Sequence, residues 1–189
     1  MKDWRNASLA ETLVEYEAAT ADVRRLFGHL NGEQLNWKPS AEQWSIGQCL
    51  DHLIVANSGF FPQFEAVAAG RKTPSLLERV PGLPGFWAGM LIKILVPEST
   101  RKVKAPAASV PSSSEIPADI VARFAAHQSE MTARVRALES KDPGRVILTS
   151  PLAAFMTYSA LDACRIGAVH ERRHILQAER VMAAPGFPK

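Results

Sequence analysis

Seven prolines fall between Gly70 and Pro117, at positions 74, 81, 84, 97, 106, 111 and 117. Proline has no amide hydrogen and its ring clashes with the preceding turn, so no long helix can run through this stretch. Only a short helix, from about Phe86 to Val96, fits between the prolines. Residues 104–114 are rich in proline, alanine and serine and are expected to form a mobile excursion.

The flanking regions carry helical periodicity. Leu9, Leu13, Tyr16, Ala19, Val23, Leu26 and Leu30 recur at steps of three and four, which predicts a helix from Ala7 to about His29, stopped by Asn31-Gly32. Ser45 followed by Gln48 is a capping box ahead of Ile46, Leu50, Leu53 and Ile54, and predicts a second helix that continues toward Ala69 and ends at Gly70. Trp44 precedes that cap and is placed to staple the entry. Ile120, Val121, Phe124, Met131, Val135 and Leu138 predict a third helix from about Pro117 to Leu138. After a connector with Val146, Ile147 and Leu148, a fourth is predicted from about Ser159 to Ala183. No strand pair is expected. The pattern describes an all-α chain, a four-helix bundle with a long proline-rich insertion, residues 70–117, between helices 2 and 3. Its length suits a single domain over residues 1–189.

Composition narrows the function classes. Apolar residues make up 47% and charged residues 22%, inside the globular range. The net charge is only +3 and the basic residues are dispersed, so nucleic-acid binding is not expected. A basic group at Arg101, Lys102 and Lys104 reads as solvated loop charge. Cys49 and Cys164 are too few for a disulfide framework; both fall in predicted helices as buried thiols, and a cytoplasmic location is the expectation. The start of the chain has no apolar signal core. The most apolar window, Gly85 to Pro97, is far below the roughly 20 residues that span a bilayer. Its helix has almost no polar face, so no stable membrane association is expected and a homodimer contact is the better use for it.

The chemistry lies in the histidines. His170 and His174 are four residues apart in the fourth predicted helix and so project from one face, a spacing at which two imidazoles chelate one divalent ion. His52 lies just after the capped start of the second helix, on its apolar stripe, where an unpartnered imidazole is costly. If the two helices pack side by side, three histidines meet. Three protein ligands leave a coordination position for water, as catalytic sites do.

The run Trp44-Ser45-Ile46-Gly47 with His52-Leu53 resembles the W-S-I-G-x-x-x-x-H-L signature of the DinB/YfiT-like proteins, and His170 to Gln177 resembles their closing H-x-x-x-H-x-x-Q motif. The order and spacing of the two motifs extend the resemblance over nearly the whole chain. It implies a four-helix bundle in which His52, His170 and His174 hold a divalent metal, commonly nickel or zinc. It also implies a thiol-dependent transferase or isomerase using a low-molecular-weight thiol, or a metal-dependent hydrolase, acting on a small-molecule substrate. The proline-rich stretch is larger than the family's crossover and is expected to cover the mouth of the site or to form a dimer contact.

Other residues lie near the histidine motifs in sequence. Gln177 shares the face of the histidine pair and is a candidate for a hydrogen bond to a ligand imidazole. Glu171 is about 100° around the helix from His170, which favours a salt bridge or a hydrogen bond to a ligand over a role as catalytic base to a metal-bound water. The pentad 170–174 also fits the protease pattern H-E-x-x-H, but the residues after it supply only Glu179 as a third ligand, too close on the same helix. His29 and His127 read as surface or capping residues, with His127 the substitute ligand should His52 fail. The alternative to an enzyme is a non-catalytic metal-binding or structural homodimeric bundle.

Overall fold

The computed structural model describes residues 3–99, 101, 106 and 109–189. Lys102 and Lys104 of the basic group, with part of the Pro/Ala/Ser-rich stretch, lie outside these residues. The described chain is mostly helical. Helix α1 (Leu9–Phe27) starts at a reciprocal cap in which the Ser8 hydroxyl accepts from the Glu11 amide at 3.1 Å and the Glu11 carboxylate accepts from the Ser8 amide at 2.7 Å. A short α2 (Gly32–Asn36), capped in the same way by Asn31 and Gln34, begins at the Asn31-Gly32 pair that the sequence reads as a helix stop.

The predicted second helix is broken. Helix α3 (Ile46–Ser58) ends at Gly59, and α4 (Phe61–Ala68) begins with Pro62 in its first turn. Pro62 offers no amide to the Ser58 carbonyl, so the α-helical ladder stops there although the apolar pattern runs on. Helix α5 (Leu83–Leu95) lies within the proline-rich region, followed by α6 (Ile120–Arg136). The expectation of no strand pairs fails: β1 (Ile147–Thr149) and β2 (Thr157–Ser159) form an antiparallel hairpin with Leu148 opposite Tyr158. Ser159 ends β2 and caps α7 (Ala160–Met182), accepting from the Asp162 amide at 3.0 Å.

Helix α1 packs on α6 and α7, and α3 packs on the same two helices. Apolar side chains between them form two clusters. One gathers Phe27, Leu50, Leu53, Ile120, Phe124 and Ile175; the other gathers Tyr16, Phe64, Met131, Val135, Leu148 and Tyr158. At the boundary between the clusters each of three helices contributes one enclosed polar residue: Asn57 from α3, Gln128 from α6 and Glu171 from α7. Helix α5 lies across β2 and α7.

Candidate metal centre

Three local features place His52. The cap at Ser45 and Gln48 fixes the start of α3, and His52 follows two turns later with only 2% of its surface exposed. Gly47 sits where a Cβ would come within 3.0 Å of Ile116 Cβ and 3.1 Å of the Leu35 carbonyl, so this glycine permits the close approach of the end of the insertion. That approaching segment then engages α3 directly. The Ser112 amide donates to Asp51 at 2.6 Å, Gln48 donates to the Ser113 carbonyl at 3.2 Å, and the Ser109 carbonyl accepts from Nδ1 of His52.

On α7, His170 and His174 stand one turn apart and point at His52. The His170 Nε2 lies 3.1 Å from Nε2 of His52 and 3.0 Å from Nε2 of His174. One potential ligand atom from each residue lies within 4.8 Å of the other two. A carbonyl can only accept, so the Ser109 contact keeps the His52 proton on Nδ1 and leaves its Nε2 lone pair facing the cluster. Two imidazole nitrogens on one ion at about 2.0–2.1 Å from it stand roughly 3.0–3.4 Å apart. The observed spacings match, and the donor set of three imidazoles could hold a transition-metal cation.

The electrostatics agree. Burial holds the imidazole of His52 below its ordinary range and that of His170 well below it; burial takes His174 down to about 3, with His52 adding to the effect. The three rings are therefore neutral near pH 7, the state in which imidazole binds a metal. Trp44 covers them: its ring centroid is 4.8 Å from that of His52 and 5.6 Å from that of His174, nearly parallel to the latter. His170 is the least enclosed of the three.

The other sequence candidates are distributed differently. The Gln177 amide stands near His174 and favours its protonated form, but Nδ1 of His174 is buried with no hydrogen bond of normal geometry. Glu171 is fully enclosed, and its Oε1 accepts from Asn57 at 2.7 Å and from Gln128 at 2.6 Å. Neither an ion pair nor a hydrogen bond to a histidine reaches it among the described residues, because its position on the helix turns it into the core. His127, expected at the surface, is buried instead; it stacks on Phe61 with centroids 5.0 Å apart and lies 3.1 Å from the Ser58 hydroxyl. His29 is exposed beyond the end of α1, as expected. Cys49 and Cys164 are both buried, and burial pushes the Cys49 thiol up to about 12.

Three participants escape sequence reasoning. Ser109 acts through its carbonyl, which has no residue signature. Trp44, expected as a staple, instead walls the histidines. Arg173, between the two histidines of α7, donates to the carbonyls of Ile94 and Val96 at 3.3 Å and of Ser99 at 3.2 Å, holding the chain that leaves α5.

With this geometry in place, the family comparison is decisive. A family model described as the DinB superfamily matches residues 15–178. The chain belongs to that superfamily. The matched region contains all three converging histidines of this DinB-superfamily protein. No curated protein and no solved structure matches the chain.

Proposed function

We propose that this DinB-superfamily protein is a metal-dependent enzyme acting on a small molecule, with His52, His170 and His174 holding one divalent cation, nickel or zinc, within a four-helix bundle of α1, α3, α6 and α7. The supporting observation is the meeting of three neutral imidazoles through Nε2, with the His52 tautomer set by the Ser109 carbonyl. Without a cation, Nε2 of His170 has at most one proton to offer two facing ring nitrogens, so the buried cluster cannot satisfy both contacts with linear hydrogen bonds, which is unfavourable.

A divalent ion held by three protein ligands supplies a Lewis acid that lowers the pKa of a water or of a thiol at an open position. The chain's own residues define the rest. His170, the least enclosed ligand, marks the side from which a substrate approaches. Trp44 supplies an apolar wall that limits water around His52 and His174. The buried thiol of Cys49, held protonated, is no nucleophile, so a thiol substrate comes from solution. The reaction is then thiol transfer to an electrophile or hydrolysis.

Metal analysis of protein purified without a polyhistidine tag tests the site. About one ion per chain is expected, falling to background in His52→Ala and in His174→Ala. Stoichiometric metal retained by the double variant would remove the ligand assignment. Turnover of a panel of electrophiles, with and without low-molecular-weight thiols and before and after chelation, separates an enzyme from a metal-binding bundle without activity.

A further inference from the structure

Among the described residues seven large apolar side chains stand in solvent, and five of them lie on three adjoining segments: Leu76, Leu77 and Val80 on one turn, Phe86 at the start of α5 and Phe155 at the tip of the hairpin. Leu76 is 83% exposed, Phe86 61% and Phe155 57%. The turn is firmly held. Glu78, its buried residue, accepts from Lys72 at 2.6 Å, from the Ser75 amide at 2.8 Å and from the Thr149 hydroxyl of β1 at 2.8 Å. A carboxylate thus pegs the turn to the hairpin and presents Leu76 and Leu77 outward. Ring contacts carry the surface across: Phe86 meets Trp87 edge-on at 5.1 Å, and Trp87 meets Phe155 at 5.4 Å.

A second feature adjoins it. A cavity of about 470 Å³ is lined by Lys72, Arg79, Lys141 and Arg145, with Glu78 as its carboxylate. Glu78 is already satisfied by its three donors, and Asp142 pairs with Arg145 at 3.3 Å. The cavity therefore keeps an excess of positive charge, and Glu78 and Arg79 belong to the turn that carries the apolar residues.

The charge distribution decides the occupant. A two-fold contact between copies of this chain centred on the cavity sets its cations near those of the second copy, which is repulsive. Exposed apolar side chains on turns, beside a cationic cavity, suit an anionic lipid surface, where phosphates meet Lys and Arg while apolar groups enter the boundary with the acyl chains. We propose that this face docks the protein on anionic lipid, the cavity receiving a headgroup phosphate and Leu76, Leu77, Phe86 and Phe155 entering the interface. The sequence expects no membrane association because the helix after Phe86 has no polar face. In the structure that helix buries Ala88 and Ile92 against the hairpin and α7, and the docking elements are the turn before it and the hairpin tip.

Flotation of the full-length, metal-loaded protein with vesicles tests this. Binding is expected to vesicles of phosphatidylcholine mixed with phosphatidylglycerol, to fall with added salt, and to be absent with phosphatidylcholine alone. Arg79→Ala and Arg145→Ala each weaken partitioning by roughly fivefold, the factor for one basic residue at such a surface. Leu76→Ser combined with Phe86→Ser abolishes it, with bound metal and circular dichroism unchanged because both side chains are exposed. Equal binding to neutral vesicles, or none to anionic ones, overturns the proposal. So does displacement by inorganic phosphate at matched ionic strength, which assigns the cavity to a soluble anion. Loss of a dimer in light scattering on Leu76→Ser and Phe86→Ser, without vesicle binding by the parent protein, assigns the face to a second copy.

Discussion

Glu171 occupies the most costly position a carboxylate has in this molecule. It sits between the two apolar clusters, with two amide donors on one oxygen and a second oxygen, Oε2, buried without a partner. Burial pushes its carboxyl up to about 8, while the Gln128 and Asn57 amides pull the other way. Between its ordinary value of 4.5 and about 8 the folded chain keeps a proton that the unfolded chain has lost. Stability from this group is therefore full below 4.5 and is lost as pH rises through about 8. Glu171→Gln is nearly isosteric and cannot ionise. It is expected to remove the fall in stability between about 4.5 and 8 and to exceed the parent by roughly 1–3 kcal/mol near pH 8.5, measured by urea unfolding. Bound metal stays unchanged, since the carboxylate makes no hydrogen bond to His170 or its partners. Parallel profiles for the two proteins would mean that Glu171 is ionised in the folded state and has a cation not seen here. The same facts weigh against a protease-type role, because a general base must reach the reacting atoms.

One close approach between α1 and α7 depends on a glycine. A Cβ at Gly167 would lie 2.2 Å from the Tyr16 hydroxyl, which donates to the Cys164 carbonyl at 2.8 Å. Gly167→Ala is expected to cost about 2–3 kcal/mol by overpacking, and Tyr16→Phe about 1 kcal/mol for the lost hydrogen bond. The double variant should cost clearly less than the sum, because removing the hydroxyl removes the atom that is struck; strict additivity in thermal or urea unfolding would place the strain elsewhere. Helices of this kind are legible in the sequence, since apolar steps of three and four place α1 and α6 and the expected range places α7 to within a few residues, and the cap at Ser45 fixes the start of α3 although not its end. The hairpin is not. Its strands have three residues each, too few to show alternation, and Ser159 belongs at once to β2 and to the cap of α7. The break after Ser58 is hidden by an apolar pattern that continues through Phe60, Phe64 and Val67. At the site, the spacing of His170 and His174 and the capped position of His52 reveal the three rings, whereas the Ser109 carbonyl and the pairing of Asn57 and Gln128 with Glu171 depend on tertiary contacts alone.

At the scale of the whole molecule, the histidines join α3 to α7 beside the polar layer, so an ion held there would share one equilibrium with the fold. A ligand that binds only the folded chain stabilises it by about 2.7 kcal/mol at a hundredfold excess over its dissociation constant. For a chain of this length that corresponds to a rise in Tm of roughly 5–10 °C, expected on calorimetry of metal-loaded against chelated protein at neutral pH. Acid should erode the gain in a defined direction. The unfolded imidazoles take up protons below 6.5, whereas burial holds folded His174 neutral down to about 3. Stability is thus present above 6.5 and falls as pH drops toward 3, as the unfolded chain binds the extra proton. Where rings must be neutral to bind, protons also compete with the ion, so the difference between loaded and chelated protein narrows toward pH 5. His174→Ala should show no such difference at either pH while still melting cooperatively, since removing one ring leaves the apolar clusters on both sides intact. A parent protein whose Tm is the same with and without chelator at neutral pH would separate the histidine cluster from metal binding altogether, and the cost of holding three bare nitrogens together would then have to be met by packing around Trp44 and the Ser109 contact.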